Sequence, residues 1–265
     1  MVQLGKSWEA EGLVLAEPYW ERLVPGVERF RLPGNEPVRR IITGRKPNRV
    51  GGFYSWKNAG HVVHESVGEE RVARLLEVHQ SVTEYFGQPE TLRVTPDGEV
   101  GYFEYTPDFL VLMGHAEIRV EYKRLCDIRP EKPSPGDERG MRRYRKAALM
   151  RHRLRLVRDA YTRCGLTWDL WTDVDVAGMA DPDVVDEILA NSGRPITAAD
   201  LERLLAILRN SPEQTATMAE CEAALEDTDF ARGDVLSRIT ERLIAIDLFE
   251  PIGPDTPVKL TRARP

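Results

Sequence analysis

The sequence predicts an α/β fold: a mixed sheet flanked by helices, followed by a mainly helical C-terminal domain. Three observations lead there. Residues 64–176 read as helix, three strands, helix and strand. Residues 179–265 return to helical spacing and close on two short β segments. Charge divides along the same line: residues 1–178 carry 28 basic and 26 acidic side chains, residues 179–265 carry 9 and 17. The two parts therefore face different partners.

The 265 residues are 42% hydrophobic and 30% charged, more than one average domain needs. We divide the chain into an arm (1–60), a sheet domain (61–178) and a helical domain (179–265). No apolar run of about eighteen residues is present, and "MVQLGKSWEAEGLVLAEPYW" lacks the basic-then-apolar pattern of a signal peptide. A soluble, cytoplasmic protein with no membrane partner is the expectation. Cys126, Cys164 and Cys221 are odd in number and lack a CxxC spacing, which argues against disulfides and zinc alike. His61 and His64 are close enough to be considered as ligands but belong to no metal-ligand pattern.

The first sixty residues show no sustained period, as in "RRIITGRKPNRVGGFYSWKNAG", and suggest an extended cover. Arg39, Arg40, Arg45, Lys46, Arg49 and Lys57 interleave with Phe53, Tyr54 and Trp56, a mixture suited to phosphate contact and base stacking. A solvated basic loop with its aromatics tucked onto the core has the same composition. "HESVGEERVARLLEVHQSVTEYF" predicts a helix with Val72, Leu75, Leu76 and Val78 at helical spacing, Ser66 as N-cap and Glu69 as its box partner. "TLRV", the turn signal Asp97-Gly98 and "EVGYFEYTPDFLVLM" predict a hairpin broken or bulged at Pro107.

Gly114-His115 then fits a two-residue type II′ turn, which sets a register. With Met113 opposite Ala116, Asp108 falls opposite Glu121, and Lys123 lies two residues on, on the same face. "RGMRRYRKAALMRHRLRLVRDAYTRCG" predicts a long basic helix closed by Gly165, and "TWDLWTDVDV" a strand running into a loop. After "ADPDVVDEILANSG" come three helical patterns, the last with Val235, Leu236, Ile239, Leu243 and Ile244 on one face. With two β segments around Gly253-Pro254-Asp255 they make a winged helix.

Facing carboxylates in a sheet repel, and desolvation raises the cost of ionising both. A divalent cation compensates best: carboxylate oxygens suit Mg²⁺ or Mn²⁺, with water and a substrate phosphate completing the shell. Lys123 beside them can meet developing charge or orient a water, so the parts suit phosphodiester hydrolysis. An exposed hairpin end with Lys123 bridging two solvated acids is the alternative. The apolar flanks Phe109 to Leu112 and Ile118, Val120 and Tyr122 argue for burial instead.

"TPDFLV", a short turn and "VEYK", preceded by "ESVGEE" on a helix and "GQP" at a strand start, resemble the PD-(D/E)xK nuclease core in its TnsA form. TnsA is the endonuclease subunit of heteromeric cut-and-paste transposons. The resemblance spans residues 45–176, with the winged helix following in the family's domain order. It implies a restriction-endonuclease-like sheet and a metal-dependent DNA endonuclease that cuts one strand at transposon ends. It further implies that Asp108, Glu121 and Glu69 bind Mg²⁺ or Mn²⁺ and that Lys123 is the catalytic lysine. Gln88 matches a glutamine that supports the site. Gly68 departs from the family's helix-favouring apolar residue, and Glu65 and Glu70 flank Glu69 as alternatives.

The partners implied are double-stranded DNA, a transposase subunit and an AAA+ regulator held by the C-terminal domain. Beside a nuclease site, Arg142, Arg145, Lys146 and Arg153 of the basic helix are available for DNA phosphates, together with Arg45, Lys46, Arg49 and Lys57. A solvated arginine-rich face is the plain alternative. Glu220, Glu222, Glu226, Asp227 and Asp229 surround the start of the would-be reading helix and would repel DNA, which suits a protein-binding role. A standalone restriction or repair nuclease and an inactive DNA-binding scaffold are the rival readings.

Overall fold

A computed structural model describes residues 19–39, 51–96, 98 and 100–261, which form a mixed α/β architecture. In chain order the elements are β1 (Trp20–Val24), β2 (Val27–Arg31), β3 (Gly51–Ser55), β4 (Gly60–His64), α1 (Val67–Val78), β5 (Glu84–Gly87), β6 (Glu90–Val94), β7 (Phe103–Tyr105), β8 (Phe109–Met113) and β9 (Ala116–Lys123). There follow α2 (Leu125–Ile128), α3 (Glu138–Arg163), β10 (Thr167–Thr172), α4 (Asp173–Ala177), α5 (Pro182–Ala190), α6 (Ala198–Asn210), β11 (Thr215–Thr217), α7 (Met218–Ala223), α8 (Ala231–Thr240), β12 (Ile244–Ala245) and β13 (Pro257–Leu260).

The central sheet has the order β10-β9-β8-β5. Its β5/β8 and β8/β9 pairs are antiparallel and β9/β10 is parallel. A parallel pair needs a crossover, and α3 supplies it. Strand β9 carries two opposed faces. Ile118, Val120 and Tyr122 share an apolar core with Val72, Ala73 and Leu76 of α1. Glu117, Arg119, Glu121 and Lys123 form the other face, where Arg119 and Glu121 are buried.

A second sheet, β1-β2-β6-β7, lies toward that charged face. Val27, Leu92 and Val94 of this sheet share a core with Leu154, Val157 and Ala160 of α3 and Trp168 of β10. One buried carboxylate joins the layers: Glu90 of β6 lies 2.7 Å from Arg31 Nε and 3.2 Å from Arg119 Nε, and accepts the Tyr161 hydroxyl at 2.9 Å. Burial alone would raise the Glu90 carboxyl, but Arg119 and Arg31 hold it below the ordinary carboxylate range.

Several expectations change. The first sixty residues do not serve only as an extended cover: Pro25-Gly26, with Gly26 at φ +75°, turns β1 back along β2. The expected Asp97-Gly98 turn falls partly outside the described residues, because Asp97 is not among them. The helix after Ser66 stops at Val78, and the aromatic end of that pattern, Tyr85 and Phe86, falls in β5, paired with β8. The β-rich run does break before β8, as Pro107 suggests, but its two halves join different sheets. After β10 the expected loop is α4, started by a Thr172/Asp175 capping box. Leu243 and Ile244 do not continue α8; the chain turns at Arg242, φ +62°, and enters β12.

The C-terminal elements run α6, β11, α7, α8, β12, β13, with a sheet of order β11-β13-β12. Leu75 and Val78 of α1 belong to the same core cluster as Val184, Ile188, Leu236 and Ile239, so this part is built onto α1. No helix among the described residues is long and apolar enough to cross a membrane.

Removing one partner of a buried, hydrogen-bonded ion network leaves the others uncompensated. Glu90→Ala should therefore cost about 3–5 kcal/mol in denaturant unfolding at neutral pH. Because the folded carboxyl is held below its unfolded value, the network's contribution is present above about pH 4.3 and is lost as pH falls through the folded value. A loss below about 1 kcal/mol at neutral pH would mean that Glu90 does not brace the sheets.

Candidate active site

The register expected from the Gly114-His115 turn is present: Met113 pairs with Ala116 and Phe109 with Val120. Gly114 has φ +65° and His115 is not in the left-handed region, the sign pattern of a II′ turn. Asp108 stands just past the end of the ladder. Its Oδ2 accepts the Tyr122 N–H at 2.7 Å, and its carbonyl accepts the Gln88 N–H at 2.9 Å.

Glu121 is 5% exposed and held from two sides. The Tyr105 hydroxyl donates to its Oε2 at 2.6 Å, and Trp168 Nε1 donates to the Tyr105 oxygen at 2.8 Å. Lys123 Nζ lies 2.5 Å from Glu121 Oε1 and 3.7 Å from Asp108 Oδ2, and donates to the Tyr122 carbonyl at 2.9 Å. Asp108, Glu121 and Lys123 thus converge.

Electrostatics reflect the crowding. Burial first, and the Glu121 charge second, push the Asp108 carboxyl well above its ordinary range, while Lys123 and the Tyr122 N–H pull it back. Burial works against the charged Lys123 ammonium, but Asp108 and Glu121 overcome it and hold the group above its usual value. The Tyr105 phenol is raised by burial and by Glu121, so it remains a donor.

Glu69 lies in the first turn of α1, and its charge acts on both Asp108 and Lys123. Burial raises its carboxyl, against hydrogen bonds from the Glu65 N–H at 2.6 Å and the Ser66 hydroxyl at 2.9 Å. Ser66 caps the helix as expected by accepting the Glu69 N–H, but the return bond goes to Glu65 N–H, one residue before the N-cap amide of a strict capping box. Glu70 instead lines a cleft with α4 and α5 residues. Gly68 also acquires a reason: a Cβ there would fall 2.0 Å from the Tyr122 ring. The helix start can approach β9 only because that position is glycine.

Two carboxylates at one strand end suit Mg²⁺, which is commonly held by one or two acids, with water and substrate oxygens filling the octahedron. Asp108 and Glu121 fit that donor set, and a cation between them would offset both the burial and, after it, the Glu121 charge that raise the Asp108 carboxyl. Among the described residues no group of three or more His, Cys, Asp or Glu side chains stands ready to hold an ion, and the Glu69 carboxylate accepts from the Glu65 N–H and the Ser66 hydroxyl. Gln88 is 4% exposed, has φ +49° and leaves its side-chain Oε1 without a partner among these residues, an unmet acceptor next to Asp108 in the fold.

The expected phosphate contacts divide. Arg45, Lys46, Arg49 and Arg40 lie outside the described residues, and Arg39 is exposed. Lys57 is turned inward, a correction to its reading as a DNA contact. Its ammonium donates at 2.7 Å to the carbonyls of Leu76 and His79 at the end of α1, and burial lowers its pKa to about 7. Arg142, Arg145 and Lys146 are exposed on α3, Arg142 within 3.9 Å of Glu138. Arg153 instead packs over Phe103 and donates to the Glu104 carbonyl. His61 is exposed against Tyr54 whereas His64 is buried three residues on, so they point to opposite faces of β4 and form no ligand pair. Sequence reasoning missed Tyr105 and Trp168; their one signal is that buried phenol and indole groups need hydrogen-bond partners.

Asp108→Asn keeps an acceptor for the Tyr122 N–H and removes the charge. At neutral pH it should stabilise the protein by on the order of 1 kcal/mol. The folded wild type holds the Asp108 proton to higher pH than the unfolded chain does, so wild-type stability falls as pH rises from about 4 through the raised folded value. The advantage of the variant should accordingly vanish below about pH 4. Denaturant unfolding across pH measures this, and an equally stable variant at neutral pH would show that the acids do not strain the fold.

No family model matches the chain, and no curated protein gives a significant match to it.

Proposed function

We propose that this chain is a metal-dependent DNA endonuclease of TnsA type that hydrolyses one strand at transposon ends as a subunit of a heteromeric transposase. The observation that carries the reading is the convergence of Asp108, Glu121 and Lys123 at one end of β8 and β9. The order α1-β5-β8-β9-α3-β10, with β9 parallel to β10, supports a restriction-endonuclease-like core around them.

Asp108 and Glu121 would hold Mg²⁺ or Mn²⁺, which supplies a water of lowered pKa and offsets phosphate charge. The chain's own groups do the rest. Tyr105 fixes the rotamer of Glu121, and the Tyr122 N–H fixes Asp108. Lys123, kept protonated by both acids, offers its ammonium to the charge that develops on the phosphoryl oxygens. Glu69, whose charge acts on Asp108 and Lys123, would have to leave its bonds to Glu65 and Ser66 to become a third ligand.

The order α6, β11, α7, α8, β12, β13 supports a winged-helix reading of the C-terminal part. In a DNA-reading version the third helix enters the major groove. Here α8 is buried from Gly233 to Thr240. That burial and the acidic surroundings favour a protein-binding role, with an AAA+ regulator as the partner.

Supercoiled DNA, Mn²⁺ and the cognate transposase provide the test. Asp108→Ala and Lys123→Ala should each lower strand cleavage by about 100-fold or more, with both variants folded by circular dichroism. Cleavage equal to wild type by Asp108→Ala would overturn the assignment.

A further inference from the structure

Between the end of α2, one side of α3 and β10 lies a cleft of about 480 Å³. Four arginines line it: Arg129, and Arg151, Arg155 and Arg158 on one stripe of α3. No carboxylate lines it, and among the described residues none of the four is paired with an acid. Arg151 donates to the Ile128 carbonyl, and Arg158 lies over the Trp168 ring at 5.5 Å. The chain as a whole has more acids than bases, so composition does not force four unpaired guanidiniums together. An anion would relieve their mutual repulsion, and their planar forks match phosphate oxygens.

The back wall of the cleft leads to the acids. Trp168 lines it, donates to Tyr105, and Tyr105 donates to Glu121. An occupant would therefore sit two hydrogen bonds from the carboxylate assigned to the metal.

We propose that this cleft is a second phosphodiester-binding subsite, which grips the nucleic-acid strand away from the bond that is cut. Only the identity of the strand rests on the endonuclease reading. The stripe differs from the one bearing Arg142 and Lys146, and Arg155 and Arg158 are exposed residues outside the catalytic group.

The test uses the full chain with a chelator present, so that binding is measured apart from cleavage. Anisotropy of a labelled duplex is followed across a salt series for wild type, R155A/R158A and R142A/R145A, and calorimetry reports inorganic phosphate. R155A/R158A should bind DNA about 10-fold or more weakly, with a salt slope shallower by about two contacts and an unchanged melting temperature. R142A/R145A, which removes the same charge elsewhere on α3, should lose less. Equal losses in the two double variants, or wild-type affinity in R155A/R158A, would overturn the subsite. So would phosphate binding that needs the arginines while DNA binding does not, or no binding of DNA by wild type at low salt. Arginine-dependent DNA binding without cleavage in the complete transposase would leave the cleft standing and count against the endonuclease reading alone.

Discussion

The buried contact between Glu90 and Arg119 ties the molecule together. Glu90 belongs to the outer sheet, Arg119 to the central strand β9 and Tyr161 to α3, and all three meet with almost no solvent access. Burying ions is costly unless geometry and hydrogen bonds compensate, and here Arg31 and Tyr161 saturate the carboxylate. The contact also pins β9. A slip of one residue would turn Arg119 into the α1 core and Val120 into the polar layer, a double penalty that specifies the register.

That register carries the candidate site with it. Glu121 and Lys123 follow Arg119 at a spacing of two, so the interaction that joins the sheets also aims the acid and the lysine. Asp108 comes from the neighbouring strand and is latched by a backbone N–H of β9. The result is electrostatically strained, with one carboxyl raised by burial and then by its neighbour's charge, and one ammonium held between them. Strain of this kind is common where a site is organised for a ligand rather than for stability.

The C-terminal elements answer to a different constraint. Their core continues that of α1 through Leu75 and Val78, and Trp56 of the β3–β4 hairpin closes over Gly193. Helix α8 is buried from Gly233 to Thr240 within this core. Exposed basic side chains such as Arg142, Arg145 and Lys146 gather on α3 instead.

The sequence by itself determined the features that depend on neighbours along the chain. The glycine turn set the β8–β9 register, Ser66 started α1, Gly165 closed α3, and the alternation of β9 put Glu121 and Lys123 on one face. Only the tertiary structure decided which strands share a sheet, because β5 finds β8 across an excursion through β6 and β7 that no periodicity encodes. It also turned Lys57 from a surface basic residue into the cap of a helix end, gave Gly68 its reason in a tyrosine ring 54 residues away, and supplied Tyr105 and Trp168 behind Glu121. These contacts join residues far apart in sequence. Local pattern reports which face a side chain takes, whereas the docking of elements fixes what that face meets.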